Sequence, residues 1–257
     1  MRIHAIHTLY DERLSQSTRP FLARGGSITR CKYCMLLPYL CICTIKKTVK
    51  SNSSFLLLMY DDEILKPSNT GRLIADLIPD TQAYIWSRTT PNEKMLAQLQ
   101  DPQWQPIVVF PDEYADIHRE LVQEHHLEEY LNKKPPLFIL LDGTWAQAKK
   151  MFRKSPYLDG FPVLSFSPDV LSQYLVRKAS KDNQLATAEV ASLVLASLGE
   201  NKNAQLLTLL FSTFKENYLL GKSQKPLPKK SYQQTLIDAF NEQVRSAIEE
   251  GNKLKSN

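Results

Sequence analysis

The sequence predicts an α/β fold, a mostly parallel sheet with helices on both faces, and three observations carry that expectation. Short apolar runs recur at Phe55–Tyr60, Ala83–Trp86, Ile107–Phe110, Leu137–Leu141 and Phe161–Phe166. Their length and continuity suit strands buried on both sides. Helix-compatible stretches intervene at about 92–100, 117–131 and 144–154, and that alternation implies right-handed crossovers. Polar clusters follow several of the strands, at Asp61–Glu63 with Asn69–Arg72, at Asp112-Glu113, at Asp142–Trp145 and at Asn183–Glu189. In an open α/β sheet the loops diverge at the carboxyl ends of the strands, so such clusters converge on one pocket there.

The composition is that of a globular protein, 257 residues with 43% apolar and 23% charged side chains. No run approaches the roughly 18 apolar residues of a membrane span, and the N-terminus lacks the apolar segment of a secretory signal. A soluble, cytoplasmic protein is expected, with no membrane association and no protein partner evident. The net charge of +5 is uneven: residues 1–50 hold nine Lys and Arg against two acids, so the rest of the chain is net −2. A basic end is often just solvated, but here it adjoins a cysteine cluster, which points to a polyanionic partner.

Residues 1–29 show no sustained periodicity and read as a basic N-terminal segment, with Gly25-Gly26-Ser27 as a joint. Residues 30–50 then carry Cys31-x2-Cys34-x6-Cys41-x-Cys43, all four cysteines of the chain. Four thiolates close a tetrahedral zinc ion and leave no open position, which makes a structural site. Two disulfides are the alternative, disfavoured by a reducing compartment. Without metal this loop-rich unit has too few apolar residues to hold its shape.

Residues 51–222 read as the α/β domain. After Phe55–Tyr60, Ser68 or Asn69 suits the cap of a helix whose apolar face is Leu73, Ile74, Leu77 and Ile78. A helix start beside an arginine receives carboxylates or phosphates, though a plain capped helix explains the same residues. The run Leu137–Leu141 ends at Asp142-Gly143-Thr144, which suits either a functional strand end or a turn and cap. Helices near 185–199 and 203–220 are apolar on one face. A Lys/Pro-rich break at 225–230 opens the last segment, 223–257, with an amphipathic helix at about 232–249.

Several chemistries are excluded. There is no GxxxxGK[ST], no GxGxxG and only eight glycines, so a glycine-rich phosphate cradle is absent. No GxSxG elbow is present. His118-Arg119-Glu120 matches the H-x-E of zinc deaminases, but every cysteine precedes it, whereas that signature needs a following P-C-x-x-C. His125 and His126 read as surface residues in a polar helical pattern.

Read together, four blocks resemble the DTW-domain family of tRNA-uridine aminocarboxypropyltransferases. They are the cysteine cluster, Lys66-Pro-Ser-Asn-Thr-Gly-Arg72, Asp142-Gly-Thr-Trp-x-Gln-Ala148 and Thr187-x-Glu189, and the match runs to about residue 215. The resemblance implies a SPOUT-like fold with a knotted C-terminal region. It implies transfer of the 3-amino-3-carboxypropyl group of S-adenosylmethionine to N3 of a tRNA uridine, with release of methylthioadenosine. Asp142 is then expected as general base or uracil orienter, with Thr144 and Trp145 beside it. Asp61, Asn69, Thr70, Gly71, Arg72, Thr187 and Glu189 are expected at the co-substrate, with Arg72 on its carboxylate and Glu189 or Asp61 on its ammonium. Lys149, Lys150, Arg153, Lys154, Arg177 and Lys178 are expected along the tRNA backbone. Three positions depart from the family pattern: Tyr60 stands where members often carry His, Ala186 replaces a Ser, and Gly143 fills a variable place. The competing readings are a SPOUT-type RNA methyltransferase and a non-catalytic zinc-bearing RNA-binding protein.

Overall fold

The structure is a computed structural model and describes residues 2–18, 28–131, 134–167, 170–171, 185–223, 237–242 and 245. Among the described residues six strands form one sheet: β1 (Ser54–Met59), β2 (Thr81–Ile85), β3 (Gln105–Val109), β4 (Leu121–Gln123), β5 (Pro136–Asp142) and β6 (Val163–Ser165). Their order is β2-β1-β5-β3-β6-β4, and every neighbouring pair is parallel. The α/β expectation is met.

The central strands alternate between two apolar cores, because successive side chains leave opposite faces. On one face Phe55, Leu57, Met59, Phe138 and Leu140 pack with α2 (Gly71–Leu77), α6 (Thr187–Ser197) and α7 (Asn201–Ser223). On the other, Leu56, Leu58, Leu137 and Ile139 pack with α3 (Glu93–Gln100) and α5 (Trp145–Arg153). Asn92 caps α3 by accepting from the N–H groups of Lys94 and Met95. Because strands buried on both sides show no period-two polarity, they read as continuous apolar runs.

Two elements differ from the sequence expectation. The stretch 117–131 is not one helix: an exposed loop leads into β4, then a turn and the short α4 (Leu127–Leu131). Val122 is buried while Leu121 is exposed, a period of two that adds an edge strand beside β6. Residues Ala5–Ser15 form a helix, α1, although they carry little apolar periodicity. Tertiary contacts hold it: Ile6 is buried in the main core, His4 Nε2 lies 3.1 Å from Asp76, and Arg13 donates twice to Asp61, at 2.7 and 2.9 Å. The cysteine segment shares the main core, since Cys34, Leu36, Ile42 and Ile45 pack in one cluster with Phe55 and Leu73. Of the helix expected at 232–249, residues 237–242 are described and helical. The connection from β6 to α6, on which the expected knotted path depends, lies mostly outside the described residues, as do Arg177 and Lys178. Among the described residues, no helix is long and apolar enough to cross a membrane.

Candidate functional site

The site is built around the end of β5. Asp142 pairs in register with Met59 of β1, and its carbonyl accepts the backbone N–H of Tyr60. Its side chain leaves the sheet on the face of Phe138 and Leu140, and only 3% of it is exposed. Two donors grip the carboxylate: Asn69 Nδ2 at 2.7 Å on one oxygen and Thr187 Oγ1 at 2.6 Å on the other. Burial pushes its pKa up from the ordinary carboxylate value to about 6, and the nearby Glu63 adds to the rise. The bonds from Thr187 and Asn69, together with the Arg72 charge, hold the shift back.

Gly71, the first residue of α2, is required by this contact. A Cβ there would lie 2.6 Å from Asp142 Oδ2 and 3.1 Å from Leu57. Ala ordinarily stabilises a helix by about 1 kcal/mol relative to Gly. At this position Gly71→Ala is expected to destabilise instead, by about 1–3 kcal/mol, because the carboxylate it displaces is held by two bonds. Thermal melting reads the sign, and a stabilised variant would show that the contact relaxes freely.

A cavity of about 530 Å³ opens beside Asp142, over the carboxyl ends of β3, β5 and β6. That volume is in the range of small-molecule sites. Its walls include Phe110, Tyr114, Trp145 and Phe166, with Glu113, Thr144, Ser165 and Thr187 as polar side chains. Trp145 stacks on Phe110 with centroids 5.5 Å apart and meets Tyr114 edge-on. Lys149 Nζ stands 5.6 Å from both the Tyr114 and Trp145 rings.

Thr144, Trp145 and Thr187 line this cavity, while Asp142, Asn69 and Gly71 stand behind Thr187. Thr144 is also the helix cap that its position suggested: its hydroxyl accepts the N–H of Gln147, and Gln147 returns a bond to the Thr144 N–H. Thr70 accepts the Ala188 N–H at 3.4 Å, which ties the α2 loop to the start of α6. Glu189 accepts the N–H of Ala186 at 2.8 Å. Asp61 is engaged by Arg13. Arg72 is 1% exposed and donates to the carbonyls of Asn69 and Lys66, so it braces the loop beneath the cavity. Asp61, Arg72 and Glu189 thus lie outside the cavity wall. Of the aromatic lining, Trp145 was expected from the sequence, whereas Phe110, Tyr114 and Phe166 were not singled out, although Phe110 and Phe166 directly follow β3 and β6.

The four cysteines converge. Their sulfurs all lie within 4.8 Å of one another, and the Cys31–Cys43, Cys34–Cys41 and Cys41–Cys31 pairs are 3.7, 3.6 and 3.6 Å apart. A disulfide needs about 2.05 Å, so these are free thiols. Tetrahedral zinc with bonds of about 2.3 Å spaces its sulfurs at about 3.8 Å, and the cluster fits.

An 83-residue stretch is 34% identical to tRNA-uridine aminocarboxypropyltransferase 2 of Mus musculus and 31% identical to that of Macaca fascicularis. Each match covers 31% of this chain and 28% of the relative, so the chain matches under a third of their length. No solved structure matches. Residues 28–219 match the DTW domain, and with the cysteine cluster, the Asn69–Arg72 loop and Asp142 all inside that span, the chain belongs to the DTW-domain family.

Proposed function

We propose that the protein transfers the 3-amino-3-carboxypropyl group of S-adenosylmethionine to N3 of a tRNA uridine and releases methylthioadenosine. The observation that carries this reading is Asp142, a buried carboxylate of pKa about 6, bonded to a threonine that lines a ligand-sized cavity. The names of the two relatives supply the reaction class.

The sulfonium of S-adenosylmethionine supplies a γ-carbon already activated for displacement. The protein's task is therefore to position the two reactants and to take one proton. Uridine N3–H is a weak acid, so its proton leaves as the N3–Cγ bond forms and the Cγ–S bond breaks, the sulfur keeping the electron pair. Thr187 faces the cavity while its hydroxyl donates to Asp142. It accepts the N3 proton as its own passes to Asp142, which makes Asp142 the final base. A carboxylate of pKa about 6 is a stronger base than an exposed one and is still largely ionised at neutral pH. Trp145, braced by Phe110, offers a stacking face to a base or to adenine. Glu113 is the carboxylate in the wall and takes the methionine ammonium, a task for which Asp61 and Glu189 are poorly placed. Cys31, Cys34, Cys41 and Cys43 would hold zinc in a closed site that supplies structure and no chemistry. Lys149, Lys150, Arg153 and Lys154 lie on or at the end of α5 and face the tRNA backbone.

The test is product analysis by mass spectrometry after incubation with S-adenosylmethionine and tRNA. Methylthioadenosine with an aminocarboxypropyl uridine is the expected result. S-adenosylhomocysteine with a methylated uridine would overturn it in favour of a methyltransferase. Retention of tRNA with neither product would leave a zinc-bearing RNA-binding protein.

A further inference from the structure

The residue directly after each of four strands is aromatic: Tyr60 after β1, Trp86 after β2, Phe110 after β3 and Phe166 after β6. The sheet order places them along one edge as Trp86, Tyr60, Asp142, Phe110 and Phe166. Phe110 and Phe166 line the cavity. Tyr60 and Trp86 lie on the opposite side of Asp142 and have no part in it. They stack on each other, centroids 5.6 Å apart and planes 19° from parallel, and both are only half-buried. Lys150 caps the pair: its ammonium is 5.4 Å from the Tyr60 ring and 5.5 Å from the Trp86 ring, and it donates to the Tyr60 hydroxyl at 3.1 Å.

The pair is fixed from behind. Trp86 Nε1 donates to Ser155 at 2.8 Å, and a Cβ on Gly143 would come within 3.2 Å of Tyr60 Cβ. Side chains held this way lose little further entropy when they bind. Several cations lie around them, with Asp62 following Tyr60 by two residues. Lys150, Arg153 and Lys154 are exposed and fall on one side of α5 by their three- and four-residue spacing, and exposed Arg88 follows Trp86 by two residues. The neighbouring Asp61 is neutralised by Arg13. Stacked rings beside cations suit unpaired bases, because every base has a π-face and every nucleotide a phosphate. A duplex hides its base faces, so an RNA loop is the partner that fits.

We propose that Tyr60, Trp86 and Lys150 form a platform on which an unpaired nucleobase of the RNA loop, next to the target uridine, stacks. The proposal rests on the tRNA reading above and adds to it the contact that holds the RNA while the uridine enters the cavity. Tyr60 follows Met59, the register partner of Asp142, and packs on the other face of the sheet, so the platform flanks the same strand end from the opposite side.

The test measures tRNA affinity of the full chain and, separately, S-adenosylmethionine affinity. Tyr60→Ala is expected to weaken tRNA binding by about 5- to 100-fold, leaving co-substrate binding and the salt dependence unchanged. Tyr60→Phe and Tyr60→His should retain binding within about threefold. Lys150→Ala should lower the salt slope by about 0.7, the loss of one phosphate contact. Wild-type affinity in a folded Tyr60→Ala protein would overturn the platform; if that variant does not fold, Trp86→Leu and Tyr60→Leu take its place. Tight, Tyr60-dependent binding of tRNA without any transfer would sustain the platform while overturning the proposed reaction. Absence of tRNA binding by the wild-type protein would overturn both.

Discussion

Asp142→Asn is expected to lower single-turnover transfer by about 10²- to 10⁴-fold, the usual worth of a positioned base, with tRNA affinity unchanged. Asn is isosteric with Asp and keeps the packing against Gly71, but it cannot take a proton from Thr187. In the wild-type protein the rate should rise as pH climbs through about 6 and then level off, because a carboxylate can accept the proton only once ionised. Stability should run the other way. The folded pKa lies above the unfolded one, so this group's contribution is fully present below about pH 4 and is lost as pH rises through about 6. A shift of that size amounts to about 3 kcal/mol as an upper bound. The melting temperature of Asp142→Asn, relative to wild type, should therefore be more favourable at pH 7.5 than at pH 4. Transfer at near wild-type rate in the variant would remove Asp142 from the proton path.

Loss of the zinc that the four cysteines are proposed to hold should have the largest effect on the fold. A closed four-thiolate zinc site stabilises small metal-organised units by about 10–16 kcal/mol at neutral pH, while whole domains are stable by only about 5–15 kcal/mol. Cys34 is 0% exposed and belongs to the main core. Cys34→Ser is expected to abolish stoichiometric metal and leave a substantial unfolded fraction at 37 °C. Elemental mass spectrometry and melting with and without chelator check this. A metal-free protein that melts at an unchanged temperature would refute it. The damage would not stay local. Lys46, which follows the last cysteine, reaches Asp76 of α2 at 2.6 Å. The same helix begins at Gly71 against Asp142, and Asn217 of α7 donates to the Leu40 carbonyl within the cysteine segment. Metal loss should thus loosen the loop that holds Asp142.

Most of the sheet was legible in the sequence because β1, β3 and β5 are buried on both faces and need uninterrupted apolar residues. Asp142 was legible for the same reason: a carboxylate at the end of such a run stands out. The helix α1 was not legible, since its contacts are long-range: Ile6 enters the main core, and His4 and Arg13 reach Asp76 and Asp61. Strand β4 was missed because three residues carry too little pattern to compete with a polar helical stretch. Arg72 shows the limit for the site itself. Its spacing after a possible helix start suggested anion binding, but spacing says nothing of direction, and the guanidinium turns inward onto backbone carbonyls. The strand-end aromatics were visible in principle, as an aromatic ring repeated after four strands.

The partners of Asp142 are far apart along the chain, Asn69 lying 73 residues before it and Thr187 45 residues after. This has a consequence for biosynthesis. A ribosome makes the chain from one end, so β1, six buried residues, emerges long before β5, the neighbour that covers its second edge. Until then its free edge and apolar faces are open to other chains, the condition in which slow parallel sheets aggregate. The carboxylate itself gains its last hydrogen bond only when α6 arrives. Nascent chains truncated before Thr187 would thus carry all six described strands and still lack the assembled site.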